Sequence, residues 1–352
     1  MPDLALTEPM RAFVRSALPS WDSAGWVVEP VHNGGSGRVV LRLRATMPTA
    51  TAGDPVSVIL VAWTDQRPDN DRFLLAHAIL ERHHVRVPHL LQADAEQRLA
   101  LVEDLGSRDL WCQRGQPWPR LRQIYGAALE TVRTLHGIRP SSLSAGERDG
   151  LMPGFDSGMY RWEQDYFFDQ CVNPFSTAPA ADIDGWRAHP SLAALADELG
   201  AGAPDMVHRD FQSQNLMLRG DEVVLVDFQG LRPGWAEYDI ASLLCDPYVA
   251  LGRGERLILF EDSARLRGLD PADPVLLRRY AGCAVQRLMQ ALGAYGNLGR
   301  NCAKPRFLEF IPPATKLLRE TLADLPELRW LEDLLGSLQT CHAAPSMPLA
   351  AG

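Results

Sequence analysis

The stretch Val207-His208-Arg209-Asp210-Phe211-Gln212-Ser213-Gln214-Asn215-Leu216 is the most informative part of this sequence. It places an Asn five residues after an Asp, and the hydrophobic run 223–226 that follows ends on Asp227. Phosphoryl transfer needs a carboxylate near the acceptor hydroxyl and an amide oxygen on a metal ion a short loop away. The spacing therefore predicts Asp210 as a catalytic base. It predicts Asn215 and Asp227 as ligands of Mg²⁺, a metal that prefers oxygen.

Each part of this pattern also has an ordinary explanation. A His-Arg-Asp triplet or an Asp at the end of a strand is common, so Asp210 could be a turn residue and Asn215 a helix cap. That explanation must account for the triplet, the Asn at the right distance and the Asp after a hydrophobic strand together. The combination favours the functional interpretation.

The segments on both sides of this stretch predict two lobes. Residues 1–104 hold helical segments and short strand-like runs, in the chain order 10–18, 26–32, 38–44, 56–63, 70–82, 90–93 and 99–103. Beyond Asp104 the hydrophobic periodicity becomes mainly helical, at 119–136, 156–171, 191–199, 235–245, 255–266, 275–295 and 312–322, with a β-rich island at 206–229. The predicted fold class is α+β and bilobal, with a small β-rich N-lobe (1–104) and a larger helical C-lobe (105–352).

Three runs of residues together resemble a known superfamily. HRDFQSQNLM, VLVDFQG and the run 237–244 (EYDIASLL) are similar to the aminoglycoside phosphotransferases and choline kinases. The HRDF opening, DFQ in place of DFG, and ASLLCDPY resemble more narrowly the anomeric N-acetylmuramate and N-acetylglucosamine kinases of bacterial cell-wall recycling. The stretches 286–296 and 307–313 also resemble that subfamily. The resemblance is sharp over residues 205–320 and architectural before them.

The resemblance implies a protein-kinase-like fold and an ATP-dependent kinase that uses Mg²⁺. Asp210 would be the base, Asn215 and Asp227 the metal ligands, and His208 and Asp239 structural residues. The implied acceptor is an amino sugar phosphorylated on its anomeric hydroxyl, which yields a sugar 1-phosphate. An aminoglycoside, choline or another amino alcohol is the alternative acceptor.

A glycine-rich segment between two predicted strands is the candidate phosphate loop. It reads Asn33-Gly34-Gly35-Ser36-Gly37-Arg38, and glycines let backbone N–H groups approach phosphate oxygens. A plain hairpin turn is the competing explanation. At the predicted hinge, backbone groups around Glu103 and Leu105 are expected to meet the adenine of ATP.

The N-lobe lacks the lysine that usually grips the α- and β-phosphates. Only Lys304 and Lys316 occur in the chain, and both follow the catalytic stretch. Arg38, Arg42 or Arg44 could supply the charge, although solvated arginines on a strand are the more ordinary explanation. This departure motivates a hypothesis of another class, a nucleotide-binding pseudokinase.

The acceptor pocket is expected in the helical lobe. Trp162 and Glu163 combine an aromatic face with a carboxylate, as sugar recognition requires, although aromatic side chains on a helix are more often core. Asp246 is a further candidate. Arg287 suits an acceptor carboxylate, with a buried structural ion pair as the competing explanation. Binding of a cationic acceptor would instead require a strongly acidic pocket.

Composition excludes several partners. A net charge of -9 opposes nucleic-acid binding, which needs a basic face. The N-terminus MPDLALTEPM shows no signal-peptide pattern and no apolar run reaches membrane-spanning length, so a cytoplasmic protein without membrane contact is expected. Six scattered cysteines form no Cys-x-x-Cys pair. The expected partner is a small-molecule amino sugar, and no obligate protein partner is inferred.

Overall fold

The computed structural model describes residues 6–21, 25–31, 38–46, 55–65, 67 and 69–339. Within these residues the chain forms a small antiparallel sheet with two helices, followed by a larger helical part that contains short strands. The predicted bilobal α+β fold is therefore confirmed.

The N-lobe is built on one five-stranded antiparallel sheet. Its strands are β1 (Trp26–Pro30), β2 (Val39–Ala45), β3 (Ser57–Ala62), β4 (Leu90–Asp94) and β5 (Leu99–Glu103). They lie in the order β1-β2-β3-β5-β4. All five strands were predicted from alternating or continuous hydrophobic runs. The bounds of β5 are as predicted, and those of the other four strands differ by one or two residues at one or both ends.

The alternation in β2 assigns the two faces of this sheet. Leu41 and Leu43 are buried against helix α1 (Glu8–Ala17), whose first turn is capped by the Thr7 side chain. Side chains that alternate along a strand point to opposite faces. Arg42 therefore lies on the other face, toward the cleft between the lobes.

Helix α2 (Phe73–Arg82) connects the two lobes. It follows a 3₁₀ turn at Asn70–Arg72 and packs on the face of the sheet opposite α1. Phe73 stacks on Phe228, the residue after Asp227, with ring centroids 5.2 Å apart and planes inclined by 19°. This contact brings the predicted metal site against the N-lobe.

The C-lobe contains the helices and strands that position the catalytic stretch. Its helices are α3 (Trp118–His136), α4 (Ala145–Gly150), α5 (Ser157–Phe167), α6 (Asn173–Phe175), α7 (Ala180–Arg187), α8 (Pro190–Gly200), α9 (Ala236–Leu244), α10 (Arg253–Leu266), α11 (Pro274–Arg300), α12 (Ile311–Leu322) and α13 (Leu331–Ser337). Its strands are β6 (Asp205–Val207), β7 (Leu216–Arg219), β8 (Glu222–Leu225) and β9 (Arg232–Gly234). In the described part of the chain, no helix is both long and apolar enough to cross a membrane.

The long helix α11 is the centre of this lobe and approaches its neighbours closely. A Cβ at Gly296 would lie 1.9 Å from the carbonyl oxygen of Gln170, so only glycine fits there. Helix α11 packs on α5, where Gln286 is buried, and Arg287 on the same helix is buried against Ser242 and Gln212. Helix α11 thereby carries Arg287 to the catalytic stretch.

Candidate active site

The catalytic stretch leaves β6 as a loop that a buried carboxylate holds in shape. Both carboxylate oxygens of Asp239, on α9, accept a backbone hydrogen bond, from the N–H of His208 and of Arg209 at 2.8 Å each. The Nε2 atom of His136 lies 3.0 Å from the same carboxylate. Arg209 has a φ of 77°, a left-handed conformation that a residue with a side chain adopts only when its surroundings hold it. Asp239 thus fixes the backbone directly before Asp210.

A second buried carboxylate holds the middle of the loop. Asp246 accepts the backbone N–H of Ser213 at 2.9 Å and its hydroxyl at 2.5 Å. It also accepts the N–H of Tyr248 at 2.9 Å and is only 2% exposed. The residue was predicted as an acceptor contact, and the structure places it behind the loop with protein groups around it.

Asp210 lies between two guanidinium groups. The Nη1 atom of Arg209 is 3.4 Å from Oδ2, and the Nη2 atom of Arg287 is 3.8 Å from Oδ1. Burial opposes ionisation of this carboxyl group, but the two guanidinium groups outweigh it and lower the pKa of Asp210. The carboxylate is therefore held ionised, the state in which it can accept a proton from a hydroxyl group.

The two predicted metal ligands come together through the β7–β8 hairpin. The N–H of Val226 donates to the carbonyl oxygen of Asn215 at 3.0 Å. Because Val226 directly precedes Asp227, this hydrogen bond brings the backbone at Asn215 close to Asp227. The side-chain amide nitrogen of Asn215 donates to the backbone carbonyl of Asp210 at 2.8 Å. Its Oδ1 atom is thus the atom suited to ligate a metal ion.

This pair of oxygen ligands suits Mg²⁺. Among the described residues, no group of three His, Cys, Asp or Glu side chains could hold a metal ion. Magnesium is usually bound by one or two protein groups and completes its shell with waters and substrate phosphates. Asn215 and Asp227 fit that requirement, and Asp227 is held at a φ of 64° at the end of the hairpin.

An arginine of the N-lobe already contacts Asp227. The Nη2 atom of Arg38 forms an ion pair with Oδ1 of Asp227, and its Nη1 atom donates to Oε1 of Gln229 at 2.8 Å. The Arg38 side chain is only 6% exposed. The rest of the predicted phosphate loop, Asn33-Gly34-Gly35-Ser36-Gly37, lies outside the described residues.

The predicted hinge follows β5 and is fixed by side chains. Glu103 accepts from Arg86 at 3.0 Å and forms an ion pair with Arg219 on β7. The neighbouring Asp104 accepts a two-pronged hydrogen bond from Arg42 at 2.8 and 3.0 Å. Leu105 is partly exposed at the start of the C-lobe. These ion pairs fix the backbone on which adenine contacts are predicted.

The predicted acceptor residues on α5 divide into an exposed and a buried one. Trp162 is 49% exposed and stacks on Tyr166, with ring centroids 5.2 Å apart and planes inclined by 9°. Glu163 is fully buried and accepts the hydroxyl of Tyr238 at 2.8 Å. The aromatic pair offers a face to solvent, whereas Glu163 lies behind it in the protein.

Arg287 is the predicted acceptor residue that lies nearest to Asp210. Its Nε atom donates to the hydroxyl of Ser242 at 2.9 Å, and Nη2 donates to the amide oxygen of Gln212 at 3.1 Å. Gln290, one turn further along α11, accepts from Nη1. These neutral partners hold the guanidinium group beside Asp210 without neutralising it.

Glu163 is expected to make stability depend on pH. Burial raises the pKa of Glu163 to about 7, against the opposing charges of Arg209, Arg287 and Arg232 and the hydrogen bond from Tyr238. Between about pH 4.5 and 7 the folded state holds a proton that the unfolded state has lost, so stability falls as pH rises through this window.

Glu163→Gln removes this titration. Relative to the unaltered protein, the variant should gain up to about 3 kcal/mol in the free energy of unfolding as pH rises from 5 to 8. Urea unfolding at the two pH values measures this change, with Glu130→Gln at an exposed position of α3 as the control. A difference between Glu163→Gln and the unaltered protein that does not change with pH would contradict the expectation.

Several residues of this site carried no sequence signal. His136 and Ser213 serve the two bracing carboxylates, and Gln212 holds Arg287. Their contacts join residues far apart in the chain, and each residue type is common. No local pattern distinguishes them from other polar residues.

Comparisons with known proteins show the family and the fold of this chain. A profile of the phosphotransferase enzyme family (APH) matches residues 28–280. The N-acetylmuramate/N-acetylglucosamine kinase of Pseudomonas aeruginosa is 26% identical over 300 residues, which cover 81% of this chain and 83% of that kinase. Among solved structures, the ethanolamine kinase of Plasmodium vivax has a TM-score of 0.57 at 15% identity, covering 92% of this chain and 85% of that one. The ADP-bound aminoglycoside phosphotransferase APH(2'')-Ib has a TM-score of 0.58 at 11% identity, covering 92% and 99%. The two structural similarities show the fold.

Proposed function

Because the chain belongs to the APH phosphotransferase enzyme family, we propose that it transfers the γ-phosphoryl group of ATP to the anomeric hydroxyl of N-acetylmuramate or N-acetylglucosamine. The observation that supports this most is the ionised carboxylate of Asp210 between Arg209 and Arg287, next to the paired oxygen ligands Asn215 and Asp227. The product is a sugar 1-phosphate and the second product is ADP. An enzyme that makes this sugar 1-phosphate would fit a role in peptidoglycan recycling.

In the proposed mechanism the protein orients the reactants for a direct in-line transfer. The Asp210 carboxylate accepts a hydrogen bond from the acceptor hydroxyl and takes its proton late, as the sugar oxygen bonds to the γ-phosphorus and the bond to the β–γ bridging oxygen breaks. Asn215 and Asp227 would hold Mg²⁺, which neutralises charge on the phosphates. Asp239 and Asp246 keep the loop in place during the reaction.

The charge beside Asp210 and an exposed aromatic face on α5 support the proposed acceptor class. The guanidinium group of Arg287 lies 3.8 Å from the carboxylate of Asp210. Its positive charge suits an acceptor that itself carries a carboxylate. The exposed face of Trp162 suits the C–H surface of a sugar ring. The kinase of Pseudomonas aeruginosa, whose name includes both sugars, covers most of this chain.

The alternatives stated above remain as outcomes of the test. An aminoglycoside or choline is cationic and would be repelled by Arg287 beside Asp210. A pseudokinase is motivated by the missing lysine, but it is opposed by the presence of Asp210, Asn215 and Asp227 together.

The test is ADP release by the purified protein with MgATP and one acceptor at a time. The acceptors are N-acetylmuramate, N-acetylglucosamine, kanamycin and choline, and the 1-O-methyl glycoside of N-acetylglucosamine is the matched control. We expect release with one or both free sugars and none with the methyl glycoside. Release only with kanamycin or choline would overturn the substrate, and ATP binding without release for any acceptor would favour a pseudokinase.

Arg287 is expected to distinguish the two sugars. Arg287→Met should lower kcat/KM for N-acetylmuramate about tenfold more than for N-acetylglucosamine, because only the former offers a carboxylate for a charged hydrogen bond. Steady-state kinetics with both sugars measure the ratio. Arg161→Met, on helix α5, is the control. An equal loss with both sugars would show that Arg287 acts only through Asp210.

A further inference from the structure

The triphosphate of ATP requires positive charge from the N-lobe, and this chain cannot provide it in the usual way. The central strand β3 reads Ser-Val-Ile-Leu-Val-Ala and carries no cation. Lys304 and Lys316, the only lysines, lie after the catalytic stretch in the helical lobe. An arginine must therefore take this role, with a guanidinium group that suits phosphate geometry.

The three arginines at β2 differ in their partners. Arg44 has a side chain that is 52% exposed and lies 3.5 Å from Glu29, as an ordinary surface pair does. Arg42 is bound to Asp104 through two nitrogen atoms and donates to the carbonyl of Gly106 at 2.7 Å. Both of these guanidinium groups are engaged away from the metal ligands.

Arg38 is placed differently. It lies directly before β2, and its almost fully buried guanidinium group contacts Asp227 and Gln229. A guanidinium group is always charged at neutral pH, so in a buried position it needs an anionic partner. In this conformation one such partner is Asp227, the carboxylate that is proposed to bind the metal ion.

A guanidinium group and a divalent cation compete for one carboxylate. When a metal ion binds Asp227, its charge repels Arg38 and weakens their ion pair. Phosphates bound to the same metal ion would lie close to this guanidinium group, because Asp227 and the phosphates would be ligands of one ion. The phosphates would thereby replace the Asp227 carboxylate as the anion that Arg38 contacts.

We propose that Arg38 exchanges Asp227 for the nucleotide phosphates when the metal–nucleotide complex binds, and so takes the role of the missing strand lysine. This inference rests on the proposed function, since it assumes that ATP and Mg²⁺ bind here. It gives Arg38 two opposite effects. Arg38 weakens metal binding when no nucleotide is present. It strengthens nucleotide binding by contacting the phosphates.

Binding measurements on the full chain test both effects without turnover. Calorimetry gives the affinities for MgADP and for adenosine. The electron paramagnetic resonance spectrum of unbound Mn²⁺ gives the metal affinity of the nucleotide-free protein. The variants are Arg38→Met, Arg38→Lys, which keeps the charge, and Arg44→Met, on the strand that follows Arg38, as the control. Thermal unfolding confirms that each variant is folded.

For Arg38→Met we expect MgADP affinity to fall about 10- to 100-fold, while adenosine affinity changes less than about twofold. Mn²⁺ affinity without nucleotide should rise about tenfold, because Asp227 loses its competing partner. Arg38→Lys should fall between Arg38→Met and the unaltered protein, and Arg44→Met should match the unaltered protein.

Three results would overturn the exchange. Unchanged MgADP affinity in Arg38→Met would show that Arg38 does not contact the phosphates, and the proposed function would stand. Equal losses for MgADP and adenosine, without tighter Mn²⁺ binding, would show that Arg38 only shapes the site. If the unaltered protein bound no MgADP, the proposed function itself would fail, and the exchange with it.

Discussion

Asp210→Asn should lower kcat with the best acceptor about 10³-fold, within the range that general-base catalysis contributes. The amide has nearly the same size and can still accept a hydrogen bond, but it cannot take the proton of the acceptor hydroxyl. Arg209 and Arg287 both lie within 4 Å of this carboxylate, so the substitution also leaves two guanidinium groups without their common anion. The measurement is steady-state ADP release at saturating MgATP and acceptor.

The control for this variant separates chemistry from binding. Asp210 is expected to contact the acceptor hydroxyl and not the nucleotide, so MgADP affinity should change less than about threefold in Asp210→Asn. Asp165→Asn, at the exposed ion pair with Arg187, should leave kcat unchanged. A fall in kcat of less than about tenfold would contradict the role of Asp210 as the base.

Asp239→Ala should lower the free energy of unfolding by about 4 kcal/mol. The carboxylate is fully buried and accepts from the backbone N–H groups of His208 and Arg209, with His136 at 3.0 Å. Each buried donor that is left without an acceptor costs about 1–3 kcal/mol.

Urea unfolding measures this loss, and a conservative variant calibrates it. Asp239→Asn keeps one carbonyl oxygen as an acceptor and should lose roughly half as much stability. Because the strained backbone of Arg209 depends on this contact, both variants should also lower kcat while they remain folded. A loss of less than about 1 kcal/mol in Asp239→Ala would show that the loop does not depend on this carboxylate.

The sequence predicted the fold where the hydrophobic pattern was long and regular. All five strands of the N-lobe sheet and helices such as α3 and α12 lie close to their predicted positions. The short strand β9 was missed because it contains Pro233 and only three residues, too few for an alternating pattern. Helices α4, α7 and α13 have eight residues or fewer, and tertiary packing rather than periodicity places them.

The candidate site was predictable where chemistry fixes the spacing of residues close in sequence. Asp210, Asn215 and Asp227 belong to one loop and one hairpin, so a local pattern was sufficient to bring them together. The contact of Arg38 with Asp227 joins residues 189 positions apart and depends on how the two lobes pack. The sequence left open which of Arg38, Arg42 and Arg44 replaces the missing lysine, and their partners in the structure distinguish them.

The burial of the predicted acceptor residues could not be predicted for the same reason. Glu163 and Trp162 are neighbours on α5, but one faces Tyr238 inside the lobe and the other faces solvent. A one-residue step rotates the side chain by about 100° around a helix. The position of the core relative to α5 then decides which of the two can touch a substrate.

The most direct test of the central proposal is the position of the phosphate in the product. N-acetylglucosamine or N-acetylmuramate is incubated with MgATP and the protein, and the product is examined by phosphorus–proton correlation NMR. We expect the new phosphorus signal to couple to the proton on the anomeric carbon. Coupling to a proton at any other ring position, or no phosphorylated sugar at all, would contradict the assignment of this chain as an anomeric amino-sugar kinase.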